Sequence, residues 1–594
     1  MRINGSVSLA MLSLCSLLSL SVSQAQADDS ANETANKAFA AFKAKCYHCH
    51  GGAKKIESMD ILDRKALFAN RGESTYIARG DLDKSLIWNR IDDGSMPPDE
   101  DEAGNAMEPL TDDEKQSIQS WIEQGAPLPV NEVKREFISN KQVLQWIDDD
   151  TRNFKFDKDF AQVKYFSLVH LHNNPEVSDF EIRLHRAALS KALNSLSTSS
   201  SIDLPVAIDE NETVFRIMLD DYSWTQEKWD TMLEKYPYGH LPNARDPERD
   251  IFDRIDRTLG ANFDRMYPIR ADWFIARATR PELYHMFLDI PEKVADLESR
   301  LGVDRANDLK KGNLIRGGVL VSRISSQNRV VDRHEANNGS YWISYDFAKE
   351  AGKANIAVRP LGPDHDDPAL DLFEFQHDGG EIIFHLNNGL QGYMLITNEG
   401  DRIDVGPTSI VADVAKASGT TEIINGLSCM SCHKNGTKEF KDVIHFAHGV
   451  QNSAAVEMID MIYDQDEMQE LLAKDQKKHL ELLKQTMGPF LQVAEDEDKK
   501  IDEFPEPITY VAHMYDQYMT VAEVAAELGF DDKLRVNLRD PDLIQLGLGL
   551  LDPRFQDKEG DIVYKRAMWD TIVDGESVFQ KALIELGLGI PTSQ

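Results

Sequence analysis

Cys46-Tyr47-His48-Cys49-His50 decides the reading of the N-terminal hundred residues, and Cys429-Met430-Ser431-Cys432-His433 repeats its pattern far down the chain. On a helix, positions i, i+3 and i+4 share one face. Two thiols and an imidazole at that spacing can grip one flat group. The sulfurs form thioethers to haem vinyl carbons while the histidine ring turns onto the iron. A C-x-x-C disulfide or half of a zinc site would use the same thiols. Zinc would need two further soft ligands near each pair, and no other cysteine stands there. A redox dithiol would not call for histidine in both copies. Two covalent haem c groups are therefore expected, anchored by Cys46, Cys49, Cys429 and Cys432, with His50 and His433 as proximal iron ligands.

Upstream of the first motif, Arg2 precedes an apolar run from Val7 to Val22, and Ala25-Gln26-Ala27 follows. A short positive start, a short apolar core and a small-residue site are the parts of a secretory signal, expected over residues 1–27. An uncleaved anchor is the competing reading, and the shortness of the apolar run argues against it. Of the five cysteines, Cys15 falls in this leader and the other four are all consumed by the two motifs. Exported chains usually oxidise their cysteines to disulfides, so this complete accounting favours haem. It places the protein in the periplasm or outside the cell, where haem c is attached.

On both sides of the motif the pattern is helical. Asn36–Lys45 carries Phe39 and Phe42 on one side, and Thr111-Asp112-Asp113-Glu114 is a capping box opening a second helix with a buried stripe of Ile118, Trp121 and Ile122, stopped by Gly125. Between them lies Gly94-Ser95-Met96-Pro97-Pro98, whose prolines hold an extended backbone. Met96 is expected as the sixth ligand of the first iron, an arrangement that raises the reduction potential relative to two histidines. The competing reading is an ordinary core methionine.

Cys46–Gly51, Arg79-Gly80-Asp81, Lys84–Trp88, Met96-Pro97-Pro98 and Leu110-Thr111 through Trp121–Pro127 together resemble the planctomycete-type cytochrome c domain. The resemblance implies a class I-like, all-α fold over residues 28–130, with one haem c, His50 proximal and Met96 distal. It implies nothing about a substrate. An acidic insertion, Asp99–Glu102, follows Met96. Further on, Gly389–Tyr393 through Gly406-Pro407-Thr408 to Cys429 resembles segments of secreted bacterial proteins that carry a C-x-x-C-H and have no assigned activity.

The remainder reads as an α+β middle domain, 131–415, and a mainly α haem-bearing region, 416–594, so the chain is expected to be multidomain. Asn131–Asp159 reads as a helical connector. Ser178 and Glu181 form a capping box for a helix running to Leu196, and Thr213–Leu219 reads as a strand. Ser340–Tyr345, Gly380–Leu386 and Leu390–Ile396 are apolar strand patterns, the last two joined by Asn388-Gly389, a hairpin signal. Tyr510–Leu528 reads as one helix and Glu495–Asp502 as a solvated charge run. Histidines stand beside carboxylates at Arg333-His334-Glu335, His365 and His377-Asp378, but none has the spacing of a known catalytic motif. For the second iron the expected sixth ligand is His445, ahead of His448, with an open position as the alternative. Met458 and Met461 have core spacing.

The chain has 594 residues, a net charge of -36 and 41% apolar residues, and removing 1–27 takes away Arg2 alone. So acidic a surface repels phosphate backbones, which argues against nucleic acid as a partner. It could dock on a basic redox protein or serve solubility only. The leading expectation is electron transfer with unidentified redox partner proteins. A dihaem oxidoreductase of peroxidase type and a haem-bearing scaffold are the alternatives.

Overall fold

The computed structural model describes residues 33–47, 49–51, 54–55, 61, 67, 75–98, 107–126, 135–154, 157–258, 267–320, 328–348, 354–365, 367–413, 418–530 and 563–592. The expected leader, 1–27, and the insertion Asp99–Glu102 lie outside them, as does His48. The chain divides into two compact units, Met1–Lys134 and Arg135–Gln594.

In the first unit, helix α1 (33–41) runs on into a π-helical turn, Phe42–Cys46. Helices α2 (Leu86–Asp92) and α3 (Asp112–Glu123) follow. The capping box is in place: Glu114 N–H donates to Thr111 Oγ1 at 3.2 Å, and Thr111 N–H donates to the Glu114 carboxylate at 2.7 Å. It satisfies amides that the first helical turn cannot pair internally. Phe39, Phe42 and Trp121 meet edge to face with centroids 5.4–5.8 Å apart, the preferred aromatic geometry, and they tie α1 to α3.

The second unit begins with α4 (Asn140–Thr151), whose Leu144 and Ile147 are fully buried. The stretch read as a connector is therefore a core element, because every third or fourth residue in it is apolar. A small mixed sheet joins β1 (Val163–Ser167), β2 (Val206–Ala207), β3 (Val214–Met218) and β4 (Ile269–Arg270) in the order β2-β3-β1-β4, with only β1 and β4 parallel. Helix α5 (Asp179–Ser195) opens on the expected Ser178/Glu181 capping box, and α6 (Ala271–Ala278) packs on it.

The central sheet is a six-stranded antiparallel meander: β5 (Leu314–Val319), β6 (Arg329–Ala336), β7 (Gly339–Asp346), β8 (Gly379–His385), β9 (Gln391–Thr397) and β10 (Arg402–Ile403). The β8–β9 hairpin turns at Gly389, whose φ of +86° is a left-handed conformation that glycine adopts without a Cβ clash. Gly379 pairs with Thr397 and His385 with Gln391, so Glu381, Ile383 and His385 share one face with Tyr393 and Leu395.

Helix α7 (Leu427–Cys432) and the long α8 (Gln465–Leu491) follow, then α9 (Pro507–Tyr515), α10 (Val521–Glu527) and α11 (Val578–Leu586). Helix α8 packs on α5 and β5, and α9 packs on α5 and α6. One apolar cluster runs from Phe166 to Leu583. The sequence boundary at 415/416 therefore separates no two bodies; both sides build the same core. Two local readings are also corrected. Tyr510–Leu528 is two helices, split by a strand at Tyr518–Thr520 that pairs with Val563–Lys565. The charge run Glu495–Asp502 is anchored by an Arg183–Asp496 ion pair at 3.0 Å and by buried Ile501.

Candidate functional site

In the first unit, Cys46 ends the π-helical turn, Cys49 N–H donates to Cys46 O at 3.2 Å, and His50 enters a two-stranded ribbon pairing His50–Gly51 with Lys54–Lys55. Both thiols are half-buried and free of disulfide. Lys45 bridges to Glu108 at 2.7 Å, fixing the motif against the segment that leads into α3. Gly80 N–H donates to Ile122 O at 2.8 Å, and the Ser85 hydroxyl bonds the 78–81 loop at 2.8–3.1 Å. Met96 lies on the loop after α2, its N–H donating to Arg90 O at 2.9 Å, and it is 37% exposed. An exposed thioether on a pinned loop is a poor core residue and a suitable ligand for a soft-ligand iron site.

The second motif sits on α7. Cys429 belongs to the core at 1% exposure, while Cys432 is half-buried with Lys438 Nζ 3.4 Å from its sulfur. His433 continues the helical hydrogen bonding, its N–H donating to Cys429 O at 2.8 Å. The ring lies over Tyr393, with centroids 5.9 Å apart and planes 24° from parallel. Nδ1 faces Gly436 O at 3.3 Å, and His479 also packs on Gly436. Nε2 is buried and has no hydrogen-bond partner; the nearest charged atom is Glu381 Oε1 at 3.4 Å. Arg329 Nη1 stands 3.8 Å from the other Glu381 oxygen.

Glu381 and Arg329 also line a small open cleft of about 60 Å³, walled by Leu395, Ile396, Ile403 and Val411.

The thiols argue against redox exchange at either motif. A dithiol used for exchange needs a lowered pKa. Burial pushes the Cys46 thiol up to about 12 and raises Cys429 and Cys432 as well.

The other sequence candidates are placed apart. His445 Nδ1 faces Tyr463 O at 2.6 Å and its ring packs on Phe446, while His448 Nδ1 accepts from Val450 N–H. The described contacts bring Glu381, not these two, to His433 Nε2. Met461 is 42% exposed, so it does not join the buried stripe of Ile459 and Ile462. His334 pairs with Asp308 at 2.8 Å, and His377, held down to about 4 by burial and then by Arg305, meets Tyr345 edge to face. His365 is grouped with Asp371 and Glu374. These histidines form no common site.

Glu381 was missed in the sequence. Its one signal is a lone carboxylate inside an apolar strand, Gly380–Leu386. Also missed was a buried network in which Arg270 contacts Asp272 at 2.9 Å and Glu527 at 2.6 Å, Arg566 contacts Glu527 at 2.7 Å, and His170 meets Asp272 at 3.0 Å.

Paired free thiols before a histidine, an aromatic-bracketed helix pair and a methionine on a proline-held loop are the features with which a c-type cytochrome segment binds haem. Residues 46–100 match the family model described as Planctomycete cytochrome C. No curated protein and no solved structure matches the chain. Among the described residues no helix is long and apolar enough to cross a membrane.

Proposed function

We propose that the protein is an exported dihaem c-type cytochrome that transfers electrons to and from redox partner proteins outside the cytoplasm. Cys46 and Cys49 hold the first haem, with His50 and Met96 on its iron. Cys429, Cys432 and His433 hold the second. Bound haem supplies one-electron chemistry through its iron, and the surrounding residues tune it.

The observation that carries this reading is the fate of the cysteines. Every cysteine beyond residue 27 lies in a C-x-x-C-H, all four thiols are free, and His433 Nε2 is buried beside Glu381 Oε1 at 3.4 Å. The first site, with Met96 exposed, suits exchange with a partner. In the second, Glu381 and Arg329 offset each other's charge beside the cleft, and Tyr393 holds the histidine ring in one plane.

A second reading is favoured by Glu381. A carboxylate, rather than His445 or a methionine, faces the iron-binding nitrogen of His433, and an open cleft adjoins it. That combination suits a reaction with a small molecule at the second haem, fed by the first.

The test is intact-mass measurement of the mature protein from a host able to attach haem c, then ligand-titrated spectra. Electron transfer predicts two haem masses and low-spin signals indifferent to cyanide and carbon monoxide. A high-spin ferric signal that moves with ligand, and moves again in Glu381→Gln, selects the second reading. A colourless chain of bare polypeptide mass refutes both.

A further inference from the structure

The connection between β7 and β8 carries a feature that neither haem reading uses. His365 has a side chain only 3% exposed, and both of its ring nitrogens lack a hydrogen-bond partner. Its Nδ1 lies 4.0 Å from Asp371 Oδ1, and ligand atoms of His365, Asp371 and Glu374 all fall within 4.8 Å of one another.

Local structure explains the convergence. Asp371–Phe373 is a 3₁₀ turn that ends at Glu374. At three residues per turn, positions i and i+3 eclipse, so Asp371 and Glu374 stack on one side. The turn is held in place: Leu361 N–H donates to Phe373 O at 3.0 Å, and Arg359 is committed to Leu372 O at 2.7 Å. Phe375, fully buried, packs on Tyr345 and Phe347. Nearby Asp364 is already paired with Arg305 at 2.9 Å. Among the described residues, Asp371 and Glu374 are thus the carboxylates grouped with the ring.

We propose that His365, Asp371 and Glu374 bind one divalent transition-metal ion of the zinc class. A neutral imidazole contributes a nitrogen and the two carboxylates balance the charge of a divalent cation. Mixed nitrogen and oxygen donors select zinc-like ions over calcium, which takes oxygen alone. With three protein ligands, water completes the coordination, and the ion clips the β7–β8 connection together. The site is independent of haem attachment.

The experiment uses untagged, full-length protein carrying its haems, treated with chelator and titrated with zinc by calorimetry, with cobalt as an optical probe. One zinc per chain is expected. His365→Ala should abolish that event, and Asp371→Asn should weaken it more than tenfold. Asp371 is 64% exposed, so the second variant keeps its fold while losing a ligand. No binding to the parent protein, or equal affinity in parent and Asp371→Asn, overturns the proposal. Calcium bound in preference to zinc overturns it equally.

Discussion

The two C-x-x-C-H segments share one five-residue pattern and sit in opposite kinds of surroundings. Around Cys46–His50 the supporting residues are near in sequence: α1 leads in, α3 braces it through Trp121, and both thiols are half-buried. Around Cys429–His433 the supports come from across the fold, Tyr393 and Glu381 from the sheet and Asn425 and His285 beside the helix, with Cys429 inside the main core. A motif sets which atoms can meet a cofactor; the scaffold sets what can reach that cofactor afterwards. The first site keeps its thiols half-buried and Met96 exposed. The second is built into the interior, with a carboxylate at its reactive edge.

The sharpest way to break this comparison is to remove one pair of thiols at a time. Cys46→Ala with Cys49→Ala should halve haem content per chain in a haemochromogen assay and leave the thermal unfolding of the second unit unchanged. Cys429→Ala with Cys432→Ala should also halve it, but with a lowered unfolding temperature, because Cys429 is a core side chain. Full haem content in either variant would sink the dihaem reading. The ligands differ in the same sense. Met96→Ala should open the first iron to carbon monoxide and lower its potential, while His445→Ala should leave both haem spectra as they were.

That asymmetry also explains what could be read from the sequence. Capping boxes at Thr111/Glu114 and Ser178/Glu181, the Asn388-Gly389 turn and the C-x-x-C-H spacing are local, so their residues announce them. Tyr510–Leu528 looks like a single helix because the strand that splits it pairs with Val563–Lys565, forty-odd residues later. Glu381 was invisible as a site residue because only the register of β8 against β9 aims it at His433. The division at 415/416 failed because α8 and α9 fill the core laid down by α5 and α6.

A smaller effect tests whether the second unit is one body. Glu527, with a side chain 3% exposed, accepts from Arg270, Arg566 and Trp569. Burial alone would raise its pKa, but Arg270 and Arg566 outweigh burial and hold it near 2, against an ordinary 4.5. A carboxylate depressed in the folded state contributes stability above its unfolded pKa, and that contribution is lost as pH falls through the folded value. Stability of the second unit should therefore drop between pH 4.5 and 2. Glu527→Gln should cost about 3–5 kcal/mol at neutral pH, since it leaves two buried guanidinium groups short of a partner. It should also flatten that acid limb in denaturant titrations. An unchanged limb would show that the network does not couple the C-terminal helices to α6.

The smallest expected effect reads the first unit by itself. Thr111→Ala removes the acceptor for Glu114 N–H and loosens the reciprocal bond from Glu114, which should cost roughly 1 kcal/mol. If the first site is a self-contained module, that loss appears wholly in the unfolding of residues up to 134. The α3 brace on Phe39 and Phe42 then slackens, so the first haem's methionine-ligation band should weaken at a lower temperature, while the second haem's spectrum and the acid limb set by Glu527 stay put. Hydrogen exchange at α3 amides, followed in the same samples, separates the two outcomes. Faster exchange confined to 112–123 supports the modular reading. Faster exchange spreading into β8 or α7 would mean that the two sites share their stability, and the contrast between an approachable haem and an enclosed one would have to rest on burial alone.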